Sequence, residues 1–117
     1  MALLADEEVI AGRKDLVAAS KEDADTLLSA LPDWSVVEED GTQKLMREYR
    51  FKDYLTLLAL GKKFGEMAEQ VNHHPVIVIE WGKVTIYWWT HTLHGLHRND
   101  FVMAARCDRA AMLVSAP

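Results

Sequence analysis

The chain has a single cysteine, Cys107, in 117 residues, so no disulfide can close within it and nothing points to an oxidising compartment. It has no basic excess: 13 Lys and Arg stand against 18 Asp and Glu, a net charge of −5. Without a basic stripe or an arginine cluster to neutralise phosphates, direct nucleic-acid binding is not expected. No apolar run approaches the ~18 residues that a membrane span needs. Met1 to Ile10 carries Asp6, Glu7 and Glu8 and lacks the basic start of a signal peptide. A cytoplasmic protein with no membrane partner is the expectation. Repeats, linkers and low-complexity segments are also missing. Half the residues are apolar and 26% are charged, and the length suits one domain with a real core.

What the chain does have is histidine in one place. Glu69-Gln70-Val71-Asn72-His73-His74-Pro75 closes an amphipathic helical pattern and precedes an apolar strand pattern. Pro75 disfavours helical backbone at His74, so the helix should end at or before it. Val84 to Thr90 then reads as a strand that delivers His91 at its far end. Three groups able to titrate near neutral pH thus fall within nineteen positions.

Around this stretch the order of elements can be read. Residues 1–19 are mixed and interrupted by Gly12, which predicts a short helix or a poorly ordered arm, with the domain proper over 20–117. Ser20-Lys21-Glu22-Asp23 resembles a capping box. The helix behind it would bury Ala24, Leu27, Leu28 and Leu31 and stop at Pro32-Asp33. Trp34 to Glu38 is a first strand, Glu39-Asp40-Gly41 a turn, and Lys44 to Phe51 a second strand with Arg47 on its apolar face. Asp53 is the N-cap of a main helix running to about Val71, with Tyr54, Leu57, Leu58, Phe64, Met67, Ala68 and Val71 as its apolar stripe. Gly61 and Gly65, four apart, read as helix–sheet packing. Val76 to Trp81 is a third strand, Gly82-Lys83 the hairpin turn and Val84 to Thr90 the fourth strand. Bulk on both faces of that strand suggests that the outer face meets another subunit. After Gly95, a last helix begins at His97 or Asn99 and turns Phe101, Val102, Ala105, Met112 and Leu113 inward, with 115–117 as a tail. The order α-β-β-α-β-β-α predicts an α+β domain: a four-stranded antiparallel sheet with three helices on one face.

The chemistry stays open at this point. Glu69 and His73 are four apart and would share a helix face. The start of strand three and the end of strand four are adjacent in an antiparallel hairpin, so His74 and His91 should be neighbours. Converging imidazoles could transfer protons, one taking and one giving. They could bind zinc, although adjacent histidines at a helix-to-strand joint rarely reach one ion. They could also be exposed punctuation with no chemistry. His94 and His97 read as loop or helix-start residues, and Cys107 as a small packing residue. Trp34, Trp81, Trp88 and Trp89 read as core or interface, with one or two able to stack on a flat ring.

Glu69-xxx-His73-His74-Pro75, with Trp81, His91 and Asp100 following at fixed intervals, resembles the signature of the pterin-4a-carbinolamine dehydratases. Leu31-Pro32-Asp33-Trp34, Phe51-Lys52-Asp53-Tyr54, Thr90-His91, Gly95-Leu96 and Asn99-Asp100-Phe101 resemble its flanking segments, over roughly residues 20–110. The resemblance implies the same four-stranded α+β fold and a homodimer or homotetramer. It implies dehydration of 4a-hydroxytetrahydropterin to quinonoid dihydropterin without a metal or organic cofactor. His73, His74 and His91 would be the catalytic set, with His74 the principal proton-transfer group, His91 its partner at the hydroxyl and His73 orienting substrate. Glu69, Trp34, Thr90 and Asp100 would orient or bind. The physiological partner would be a hydroxylase. Some relatives are instead dimerisation cofactors or Rubisco assembly factors, so a binding role is the alternative. Two departures stand out. His97 takes the place of a family threonine that caps the last helix, so that cap is expected to be weaker or passed to Asn99. Trp88 and Trp89 stand where small or polar residues are common, a change expected at the pocket or the subunit contact.

Overall fold

The computed structural model describes residues 3–10 and 16–115. The interrupted stretch around Gly12 and the last two residues of the tail lie outside the described residues. The elements are a 3-10 turn (Leu4–Asp6), α1 (Lys21–Leu28), β1 (Ser35–Glu39), β2 (Thr42–Arg50), α2 (Tyr54–Val71), β3 (Val76–Glu80), β4 (Lys83–Trp88), a second 3-10 turn (His91–Leu93) and α3 (Arg98–Ser115). The four strands form one antiparallel sheet in the order β1-β2-β4-β3, with the three helices on one face. The chain therefore has the α+β architecture that its pattern predicts.

Local chemistry fixes most boundaries. Ser20 Oγ accepts the Asp23 N–H and starts α1, and the Asp53 carboxylate accepts the Leu55 N–H and starts α2. Asp40 (φ 52°) and Gly41 (φ 78°) both take left-handed backbone between Glu39 and Thr42, the geometry of a tight hairpin whose twist matches its strands. The second hairpin turns at Trp81-Gly82, one residue earlier than the spacing suggests. Glu80 pairs with Lys83, and Gly82 sits at φ 91°, where a side chain is strained.

Leu45 and Tyr49 from β2 and Val84, Ile86 and Trp88 from β4 point at the helices and are buried. Leu57, Leu60, Phe64 and Ala68 meet them from α2, at spacings of three and four. Tyr54 and Leu58, read as part of that stripe, are 44% and 40% exposed: Tyr54 lies at the helix start beyond the core's edge, and Leu58 is turned about 100° from Leu57. Gly61 lets α2 lie against β3, since a Cβ there would come within 2.6 Å of Ile79 Cδ1. From α3, Phe101, Met103, Ala104 and Cys107 complete the core. Met112 and Leu113, expected inside, are each 73% exposed because the last turns of α3 run past the sheet. Burial pushes the Cys107 thiol pKa up, which keeps it a neutral packing group.

Candidate active site

Where α2 ends, Asn72 adopts left-handed backbone (φ 51°). Its N–H donates to Glu69 O and the His73 N–H donates to Ala68 O, the paired bonds of a Schellman motif. This reversal separates the two histidines. His73 turns inward and is buried, while His74 turns back over the last helical turn and stays exposed. The Glu69 partner is consequently not His73, as continued helical spacing would have it, but His74, whose Nε2–H donates to Glu69 Oε1 at 2.5 Å. The i to i+4 argument fails because the helix has already stopped at Val71.

His73 has a different carboxylate. Its Nε2 lies 2.6 Å from Asp100 Oδ1, and its ring stacks on Trp88 with centroids 5.4 Å apart. A carboxylate here can only accept, so Nε2 carries the proton and Nδ1 keeps its lone pair when the ring is neutral. Asp100 is fully buried and is satisfied by three donors: His73, the Thr90 hydroxyl (2.9 Å) and the His97 backbone N–H (2.9 Å). It sits in the first turn of α3, where the helix dipole favours negative charge.

His97 itself caps α3. Its Nδ1 accepts the Asn99 N–H at 2.9 Å while the Asp100 carboxylate accepts the His97 N–H, a reciprocal capping box with imidazole in place of a hydroxyl. The cap is thus not passed to Asn99, which supplies the donor. Desolvation holds the His97 pKa below the usual histidine value, with Asp100 opposing and His73 adding to the effect. A neutral ring is what an Nδ1 acceptor needs.

His91 opens the 3-10 turn after β4 and stacks on Trp89 at 4.4 Å, and Lys44 Nζ lies 4.2 Å from the same Trp89 ring. Val76 faces Tyr87 in the sheet, and that register continued by two residues sets His74 level with Trp89. The two tryptophans before Thr90 therefore serve different imidazoles: Trp88 backs His73 inside, and Trp89 backs His91 outside. An open groove of about 590 Å³ runs along α2 and β3 past Gly65, Ala68, Glu69, His74, Pro75 and Ile77.

Trp34 is not part of this assembly. Its indole N–H donates to both Asp108 oxygens (3.0 and 3.1 Å), and Asp108 also accepts from Arg47 Nη1 (2.6 Å) and the Tyr49 hydroxyl (2.5 Å). Asp108 lies eight residues beyond Asp100 on α3, about 12 Å along the axis. A buried indole N–H needs an acceptor, and this cluster provides it. Arg47 on the apolar face, an irregularity in the strand pattern, is explained by the same carboxylate. Sequence reasoning missed Trp88, Trp89 and the backbone of His97 as supports of the imidazoles. The adjacency of the two tryptophans to Thr90-His91 was the available signal. Among the described residues no three His, Cys, Asp or Glu side chains are grouped to hold a metal ion, and no helix is long and apolar enough to cross a membrane.

A helix-backed antiparallel sheet with carboxylate-held imidazoles gathered at one end defines a protein built for acid–base chemistry. Residues 17–110 match the family described as pterin 4 alpha carbinolamine dehydratase, and the chain belongs to that family of hydro-lyase enzymes. A relative in Chlorobium luteolum, assigned by name to pterin-4-alpha-carbinolamine dehydratase, is 47% identical over 89 residues, covering 76% of this chain and 78% of that one. Among solved structures, a Brucella melitensis protein titled transcriptional coactivator/pterin dehydratase superposes with a TM-score of 0.74 at 26% identity, over 81% of this chain and 99% of that one.

Proposed function

We propose that the protein dehydrates 4a-hydroxytetrahydropterin to quinonoid dihydropterin by histidine acid–base catalysis. The observation that carries this reading is the pair of carboxylate-bound imidazoles, His73 on Asp100 and His74 on Glu69, on either side of one chain reversal. In each pair one ring nitrogen is committed to the carboxylate and the other is left for substrate. The reaction breaks the C4a–OH bond. An acid protonates the departing hydroxyl, a base takes a ring N–H proton, and the electron pair left on nitrogen forms the new double bond as water leaves. His74, exposed and supported by Glu69, is the principal proton-transfer group. His91 is its partner at the hydroxyl, its ring set by Trp89. His73, buried and held by Asp100 and Thr90, orients substrate. Roles of acid and base are shared across the set, since neighbouring imidazoles titrate together. Each of these groups belongs to the chain, and the step as written calls on no cofactor.

The catalytic unit is residues 20–117, with 1–19 an arm, in a cytoplasmic protein. We take it to be a homodimer or homotetramer: β3 is an edge strand, and Val76 and Val78, each 42% exposed, extend an apolar outer face that a second copy would cover. Sedimentation at micromolar concentration checks this, and a monomer would reject it.

The deciding experiment follows loss of the 4a-hydroxypterin absorbance with wild type and with His74→Ala. The variant is expected to lose at least ~10²-fold in kcat, the usual worth of a positioned acid–base group. Equal rates at the uncatalysed background would reject the enzyme reading. They would leave a binding role in transcription or Rubisco assembly, toward which the name of the Brucella protein points.

A further inference from the structure

The segment before residue 17 lies outside the family match, yet it grips the part of α3 that builds the site. The Ile10 N–H donates to Asn99 Oδ1 (3.0 Å), and Asn99 Nδ2 donates back to Ile10 O (2.9 Å). The Glu7 carboxylate takes two bonds from Arg98, both 2.9 Å, and Arg106 donates to the carbonyls of Ala5 and Glu7. Ala19 N–H donates to Leu96 O at 2.9 Å. Leu96, Arg98 and Asn99 are thus all bonded to residues 7–19. The two residues interleaved with them, His97 and Asp100, are the cap and the carboxylate that holds His73.

Asn99 is the hinge of this arrangement. It is buried, and its backbone N–H donates to His97 Nδ1 while its side chain is spent entirely on the arm. A side-chain amide bonded twice to one peptide unit fixes that strand of chain in both position and direction. The first turn of a helix is where fraying begins unless something outside it holds it.

We propose that Asn99 is a positioning residue for the reaction, through which the N-terminal arm holds the first turn of α3 and so keeps Asp100 aligned on His73. The proposal rests on the catalytic reading of that imidazole. Asp100 can bond His73, Thr90 and the His97 N–H together only while this turn keeps its shape. The arm adds an external clamp on the residues to either side.

The test compares wild type, Asn99→Ala and Ile10→Pro as full-length chains. Asn99→Ala removes both bonds from the helix side. Ile10→Pro removes the arm's donor and leaves every residue of α3 in place, so it serves if the first variant fails to fold. Two measurements are made on each folded variant: the exchange rate of the His73 Nε2 proton with water by NMR, and kcat with KM. Exchange should quicken about tenfold, and kcat should fall about fivefold with KM within twofold, the signature of a misaligned rather than unbound site. Ile10→Pro should show the same changes at smaller size. Unchanged proton exchange in a folded variant overturns the proposal. That readout does not depend on turnover, so a wild type without dehydratase activity would reject the proposed reaction and still leave the clamp to be judged by the proton.

Discussion

The two adjacent histidines occupy opposite kinds of place. His73 is buried against Trp88, and its carboxylate is fully enclosed and triply bonded. His74 stands half in solvent, and its carboxylate, Glu69, is 77% exposed. The first pair is built into the fold, so disturbing it should cost stability and activity together. The second is built onto the fold, so disturbing it should cost activity alone. One reversal at Asn72 thus gives a fixed imidazole beside an accessible one, a division that suits a group for holding substrate and a group for moving its protons.

The sharpest way to break this contrast is Asp100→Ala. It strands the His73 N–H, the Thr90 hydroxyl and the His97 N–H together, and at roughly 1–3 kcal/mol for a buried unpaired donor the loss should reach at least ~3 kcal/mol. Urea unfolding checks it, and an unchanged midpoint would place Asp100 outside the framework of the fold. His74→Ala should be the mirror image: the large kcat loss already stated, with stability within about 0.5 kcal/mol of wild type, as for other exposed positions. Glu69→Gln is expected to lower kcat about threefold to tenfold and leave stability unchanged, since an exposed pair contributes little to folding. A stability loss there as large as that of Asp100→Ala would erase the distinction.

The smallest effect concerns pH. The folded His97 pKa lies below its ordinary value, so the unfolded chain binds the proton more readily. Stability should therefore be complete above the ordinary histidine pKa. It should fall as pH drops below that value and level off below the depressed folded one. His73 and Asp100 face the same ring and titrate in the same neighbourhood, so the comparison must be differential. His97→Thr, which keeps a cap without a titrating group, should flatten this part of the urea-midpoint profile between pH 7.5 and 5. An identical slope would remove His97 from the account.

Much of this was legible from residues alone, for reasons that are local. Asp40-Gly41 announces its hairpin because few other residues accept that backbone, and Ser20 and Asp53 announce their helices because an N-terminal turn needs an acceptor. The signature around His73-His74-Pro75 gave the family. What could not be read is long-range. Asp108 gathers Trp34, Arg47 and Tyr49 from 74, 61 and 59 residues away, and no periodicity encodes that meeting. The pairing of Glu69 with His74 rather than His73 hung on a single left-handed residue. Asparagine permits that conformation without requiring it.

That residue has a wider consequence. Because Asn72 sends its two successors to opposite sides of the chain, mutations that retune the solvent-side imidazole need not pass through the protein interior. Glu69, Gly65 and Glu66 line the outer groove and can drift with the demands of a substrate, while Trp88, Thr90 and Asp100 keep the enclosed imidazole as it was. One kink of backbone lets neighbouring codons answer to different selective pressures.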